Sequence, residues 1–170
     1  DPASTVRQQR IVSLDIETTG LNPRRHQILS IGLVKLSGTH IALNSRWHQI
    51  IKQDEPLSAA NVAIHQITDS QMRHGAALYE AMNDLLQQLT GSVLLTHHSR
   101  IETGFLQRAC RTLYGVHVPF LMIDTQGLAK RRFDVQGRDY DPSELRLDAL
   151  RRHFGLPDFH GHNALNDAIA

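Results

Sequence analysis

The chain has 170 residues, is 41% hydrophobic and carries a formal net charge of +1 at pH 7, which suits one globular domain with its own core and gives no sign of a second. No apolar run is long enough to span a membrane and no start resembles a secretory signal, so a soluble chain without a membrane partner is expected. The single cysteine, Cys110, excludes an internal disulfide framework and fits a reducing cytoplasm. The near-neutral charge provides no global field for nucleic acid, but fifteen of the 18 basic residues are arginine, and Lys130, Arg131 and Arg132 stand in a row.

The first stretch, residues 1–10, is polar and reads as a flexible lead-in. It lacks an initiator methionine, as a processed or excised piece would. From Ile11 an apolar run forms a strand that Gly20 ends. Leu21 to Gln27 is a turn-rich loop in which Arg24 and Arg25 can approach a phosphate backbone. Ile28 to Leu36 and Ile41 to Ile51 are β-rich runs joined by the hairpin signal Ser37-Gly38-Thr39-His40, so three antiparallel-capable strands open the chain.

The middle shifts to helical periods. Leu57 to Ile64 is helical or irregular. Thr68 with Gln71 has capping-box spacing, and Leu78, Ala81, Met82, Leu85 and Leu89 mark an amphipathic helix ending near Gly91. Val93 to Thr96 is a short strand, and Ser99 opens a helix with Ile101, Phe105, Leu106, Ala109 and Leu113 on its apolar face. Leu121 to Ile123 is a further strand, Asp124 to Arg131 a helical turn or two, and Arg132 to Tyr140 an exposed loop. Asp141-Pro142-Ser143-Glu144 starts another helix, with Leu147, Leu150 and Phe154 as its apolar face. The whole is an α/β domain: a mixed sheet of about five strands with helices packed on it.

The chemistry gathers around Asp15-Ile16-Glu17-Thr18-Thr19-Gly20. Alternation along a strand puts Val12, Leu14 and Ile16 on one face and Asp15 with Glu17 on the other. Two carboxylates side by side repel unless protons or a hard divalent cation stand between them. Near the end of the chain, His162 precedes Asp167 by five residues. A helix would turn the two about 140° apart, so they converge only if His162 lies in the loop before the first turn. Ala170 follows Asp167 so closely that this last helix reads as cut short at about two turns, marginal without tertiary packing.

These stretches resemble the DEDDh 3′-to-5′ exonucleases, the group that contains the proofreading epsilon subunit of bacterial DNA polymerase III, ribonuclease T and oligoribonuclease. Asp15 to Gly20 is similar to their first motif, and His162-Asn163-Ala164-Leu165-Asn166-Asp167 to their His-x-Ala-x-x-Asp motif. Ile64-His65-Gln66-Ile67-Thr68 is similar to the Ile-His-Gly-Ile-Thr segment beside the terminal nucleotide. The second motif departs: in His97-His98-Ser99-Arg100-Ile101-Glu102, glutamate replaces the usual aspartate and His98 an asparagine. Over residues 11–170 the resemblance implies a ribonuclease H-like exonuclease domain.

It also implies the chemistry. Asp15, Glu17, Glu102 and Asp167 would hold two Mg²⁺ or Mn²⁺ ions, about 4 Å apart in such sites. His162 would be the general base, and Thr18, His65 and His98 would lie beside the terminal nucleotide. The expected product is a nucleoside 5′-monophosphate from a single-stranded 3′ end, DNA more than RNA, in proofreading or repair, with a DNA polymerase or a longer parent chain as partner. Rival readings are a catalytically weak domain that binds nucleic acid or docks on a polymerase, a zinc site drawn from His97, His98, His160 and His162, and an endonuclease of the same class. For Glu102 the competing local role is a capping box with Ser99.

Overall fold

The computed structural model describes residues 8–54, 62, 65 and 67–170; most of the Leu57 to Ile64 stretch and most of the lead-in fall outside the described residues. Three strands open the fold, β1 (Ile11–Thr18), β2 (Ile28–Ser37) and β3 (His40–Ile50), followed by α1 (Asp69–Arg73), α2 (Leu78–Leu89), β4 (Val93–Thr96), α3 (Arg100–Tyr114), β5 (Met122–Asp124), α4 (Thr125–Val135), α5 (Leu147–His153) and α6 (Ala164–Ile169). The sheet order is β3-β2-β1-β4-β5. β1 pairs antiparallel with β2 and parallel with β4, and β4 pairs parallel with β5. The chain leaves β1 toward one edge and β4 toward the other, which opens a crevice at their carboxyl ends, the usual ligand position in open α/β sheets.

The alternation along β1 is realised. Val12, Leu14 and Ile16 join α2 and α3 in the main core with Met82, Leu85, Leu106 and Cys110, and burying each such side chain contributes about 1.5–3 kcal/mol. Asp15 and Glu17 take the opposite face, where α6 lies against β1 and β2. Among the described residues, no helix is long and apolar enough to cross a membrane.

Four local expectations change. Thr68 and Gln71 do form a capping box, but it starts the short α1 and not the amphipathic helix. Between α1 and α2, Ala76 pairs with Ile51, and a Cβ on Gly75 would stand only 2.8 Å from the Ile50 carbonyl oxygen. The exposed loop expected from Arg132 is instead the end of α4: Phe133 is fully buried in a second core with Ala129, Leu145 and Leu150. Asp141 caps a 3-10 turn, Pro142–Leu145, and Arg146 returns to extended backbone before α5 begins. Phe154, expected on an apolar face, is largely exposed beside His153 and Arg132.

Candidate active site

Asp15 stands opposite Gly32 on β2. A Cβ on Gly32 would lie 2.2 Å from Leu165 N and 2.3 Å from the Ala164 carbonyl carbon, both backbone atoms of α6. Only a residue without a side chain lets that helix rest directly on the strand. The close approach brings Asp167 down to β1, and Asp15, Glu17 and Asp167 each present one carboxylate oxygen, all within 4.8 Å of one another.

His162 lies in the loop before α6. Asn163 caps the helix by accepting from Leu165 N and Asn166 N. His162 sits one residue earlier in the left-handed region, φ 63°, and its backbone N–H donates to Asp167 Oδ2 at 3.0 Å. The residue is exposed and lines a neighbouring cavity that shares His65 with the carboxylate cleft.

Glu102 comes from the first turn of α3 and is 2% exposed. It does not serve as a helix cap. The Ser99 N–H donates to Asp124 Oδ2 at 3.1 Å, and Ser99 itself has helical backbone angles with no cap bond. Glu102 instead lines one cleft of about 370 Å³ with Asp15, Glu17, Asp167, Thr18 and His65. Leu21, 76% exposed, forms its lip together with Gly20 and Ile101.

Buried polar atoms in a folded chain are nearly always paired. Here three carboxylate oxygens, Glu17 Oε1, Glu102 Oε2 and Asp167 Oδ1, are buried without a hydrogen-bond partner. Beside them, His65 Nδ1 lies 2.6 Å from Glu17 Oε2. Burial first, then the charges of Asp167, Glu102 and Glu17, hold the Asp15 carboxyl well above the carboxylate range. Burial pushes Glu102 up to about 8, with the charge of Asp124 adding to it. Burial and the Glu17 charge push Asp167 up to about 6 against the opposing pull of the His162 backbone N–H. Carboxylates this crowded ionise together only around cations, and an all-oxygen set suits Mg²⁺ or Mn²⁺. The donor set therefore fits divalent ions.

Two expectations about the histidines change. His98 faces away from the cleft. Its backbone is left-handed, φ 67°, and Nδ1–H donates to Gln126 Oε1 at 2.6 Å. His97 lines the cleft in its place, with Nε2–H donating to the Leu145 carbonyl at 3.0 Å and Nδ1 2.9 Å from Thr125 Oγ1. The four histidines of the zinc alternative are thus divided. His97 and His98 are tied to α4 and the 3-10 turn, while His160 and His162 line a separate cavity of about 170 Å³ with His48 and His65. Among the described residues, the group close enough to hold a metal is Asp15, Glu17 and Asp167.

Reading the sequence placed His97 only in the second motif and in the zinc alternative, and gave no role to Asp124. The local signal for Asp124 was its place between a strand and a helix, where it accepts from Gln126 N and Gly127 N as the N-cap of α4.

The RNase_T family, described as exonuclease, matches residues 12–170. The chain belongs to this exonuclease family. It is 31% identical over 165 residues to the PolC-type DNA polymerase III of Thermotoga maritima, covering 97% of this chain and 11% of that protein. It is 29% identical over 174 residues to the DNA polymerase III epsilon subunit of Haemophilus influenzae, covering 96% of this chain and 64% of that one. The chain thus spans about a tenth of the first relative and under two thirds of the second. E. coli exonuclease I in complex with a dT13 oligonucleotide shares the fold with a TM-score of 0.78 at 15% identity, covering 95% of this chain and 39% of that one. The nuclease domain of 3′hExo, a DEDDh family member bound to rAMP, shares it with a TM-score of 0.77 at 20% identity, covering 95% and 86%.

Proposed function

We propose that residues 11–170 form a 3′-to-5′ exonuclease domain that releases nucleoside 5′-monophosphates from single-stranded ends, DNA in preference to RNA. The observation that carries this reading is the set of buried, unpartnered oxygens on Glu17, Glu102 and Asp167 around Asp15, in one cleft. Asp15, Glu17 and Asp167 would hold one divalent ion, and Asp15 with Glu102 would help hold a second. Ions there would neutralise charge developing at phosphorus and lower the pKa of the attacking water.

The chain's own groups do the rest. His162, exposed and tied through its backbone N–H to Asp167, accepts the proton of the attacking water. The left-handed backbone at His162 is tied by its N–H bond to Asp167, which links the base to the carboxylate. His65 orients Glu17, and Thr18, whose hydroxyl donates to the Gly20 carbonyl at 2.9 Å, fixes the turn beneath Leu21. Leu21 and Ile101 offer an apolar edge to the terminal base. The exposed Arg24 and Arg25 lie on a loop that Arg108 ties down through the Pro23 and His26 carbonyls, where they can meet phosphates further along the strand. Polymerase III relatives support proofreading or repair in the cytoplasm as the setting, with a polymerase as partner.

The test is digestion of matched 3′-labelled DNA and RNA oligonucleotides with Mg²⁺, Mn²⁺ or EDTA. Metal-dependent release of 5′-mononucleotides, faster on DNA, is expected. Full activity in EDTA would overturn the reading, and cleavage of a circular or 3′-phosphorylated strand would favour an endonuclease.

A further inference from the structure

Glu102 contributes an acidic group from a helix, and what holds the start of that helix lies 25 residues away in sequence. Three consecutive residues at the β5–α4 junction clamp three at the β4–α3 junction. Asp124 accepts from His98 N at 3.1 Å, Ser99 N at 3.1 Å and Ser99 Oγ at 3.1 Å. Thr125 meets His97 Nδ1 at 2.9 Å. Gln126 accepts from His98 Nδ1 at 2.6 Å. The same Asp124 carboxylate also accepts from Gln126 N and Gly127 N, and these donors keep it below the usual carboxylate range against the cost of its burial. It is therefore a charged anchor satisfied by both junctions at once.

The clamp explains the left-handed His98. A histidine at φ 67° is strained by on the order of 1 kcal/mol or more and persists only where its surroundings over-determine it. That turn points two consecutive N–H groups, His98 and Ser99, at one carboxylate, and Glu102 follows one helical turn later. We infer that Asp124 is a positioning residue for the reaction: by fixing the 97–99 turn, it sets where the Glu102 carboxylate stands in the cleft. This rests on the exonuclease reading above and assigns Asp124 no contact with substrate.

Direct electrostatics and positioning differ in their dependence on Glu102, which makes the inference testable. Loss of the Asp124 charge removes some attraction for a cation whether or not Glu102 is present. Loss of positioning would weaken binding only through Glu102. Asp124→Asn keeps an acceptor for His98, Gln126 and Gly127 and turns an amide against Ser99. Mn²⁺ binding should be measured by calorimetry, alongside nucleotide release, for the wild type, Asp124→Asn, Glu102→Gln and the double variant. Asp124→Asn is expected to weaken the Glu102-dependent Mn²⁺ binding by about tenfold, and to change it less than about twofold once Glu102 is already Gln, as coupled residues do. Ser99→Ala, which removes one of the five bonds, should shift binding in the same direction by less.

Unchanged or tighter binding in Asp124→Asn, or an equal loss in both backgrounds, would overturn the inference. Should Asp124→Asn fail to fold by circular dichroism, Ser99→Ala and Gln126→Ala decide by the same cycle. Wild-type protein that neither binds Mn²⁺ nor releases nucleotides would instead sink the exonuclease reading itself.

Discussion

The two faces of the sheet are built differently. On one, β1 packs its aliphatic residues against two long helices in a core where Met82, Leu85, Leu106 and Cys110 have no solvent contact. On the other, the six-residue α6 rests on β2 by backbone contact at Gly32, next to an apolar cavity of about 240 Å³ bounded by Leu36, Leu95, Leu150 and Ala168. Asp15, Glu17 and Glu102 are carried by the strand and helix of the first core. Asp167 and His162 belong to the second, lighter layer. The site is a seam between a rigid half that presents charge and a lighter half that closes over it, so the closing half has to be secured by contacts other than apolar burial.

The largest effect tests the rigid half. Asp15→Ala should abolish nucleotide release, by about 10³-fold or roughly 4 kcal/mol of transition-state stabilisation, with the fold intact by circular dichroism; a variant within tenfold of wild type would show that the carboxylate pair is not the centre of the site. Next comes the seam. Gly32→Ala places a methyl into the α6 backbone, a strain of about 1–3 kcal/mol, and should lower both activity and metal affinity by displacing Asp167. If it lowered the melting temperature while metal affinity stayed at the wild-type value, the two layers would be independent.

A smaller effect separates ligand from scaffold at Glu102. Glu102→Gln should cut the metal-dependent rate by about tenfold, or ~1.4 kcal/mol, without loss of thermal stability, because no helix cap is removed. The same residue dictates a pH trend. Its folded pKa, about 8, lies above the 4.5 of the free side chain, and that of Asp167, about 6, lies above 3.8. The folded chain therefore binds more protons than the unfolded one, and the stability this gives is complete below pH 4 and lost as pH rises through 6 and 8. Melting temperature in EDTA should fall across that window, Mg²⁺ or Mn²⁺ should offset the fall, and Glu102→Gln should flatten its upper part. The smallest effect is expected at His98, whose ring faces α4. His98→Asn, which tolerates the left-handed backbone, should leave KM within about twofold of wild type, and a larger rise would return His98 to the substrate side.

What was legible in the sequence follows from the range of the forces involved. The strands, α2 and α3 announce themselves through apolar period, and the placing of Asp15 with Glu17 and of His162 before its helix needed only strand alternation and helical pitch. Contacts between distant segments were not legible. Ser99 and Glu102 have capping-box spacing, but a charged acceptor 25 residues away takes the Ser99 N–H. Nothing in the apolar run around Gly32 shows that α6 lies on it. Phe133 is hidden among charges, and its burial depends on Leu145 and Leu150, which arrive later in the chain.

The chain's one thiol carries a practical consequence. Cys110 sits wholly inside the first core, two turns along α3 from Glu102, and burial pushes its pKa up. A thiol reagent can reach it only when that core opens, so the rate of labelling is a clock for opening of the rigid half. Because Glu102 and Cys110 share one helix, an ion bound at the cleft should slow that clock by the factor with which it stabilises the folded chain. Occupancy of the site could then be followed on unmodified protein without any nucleic acid present.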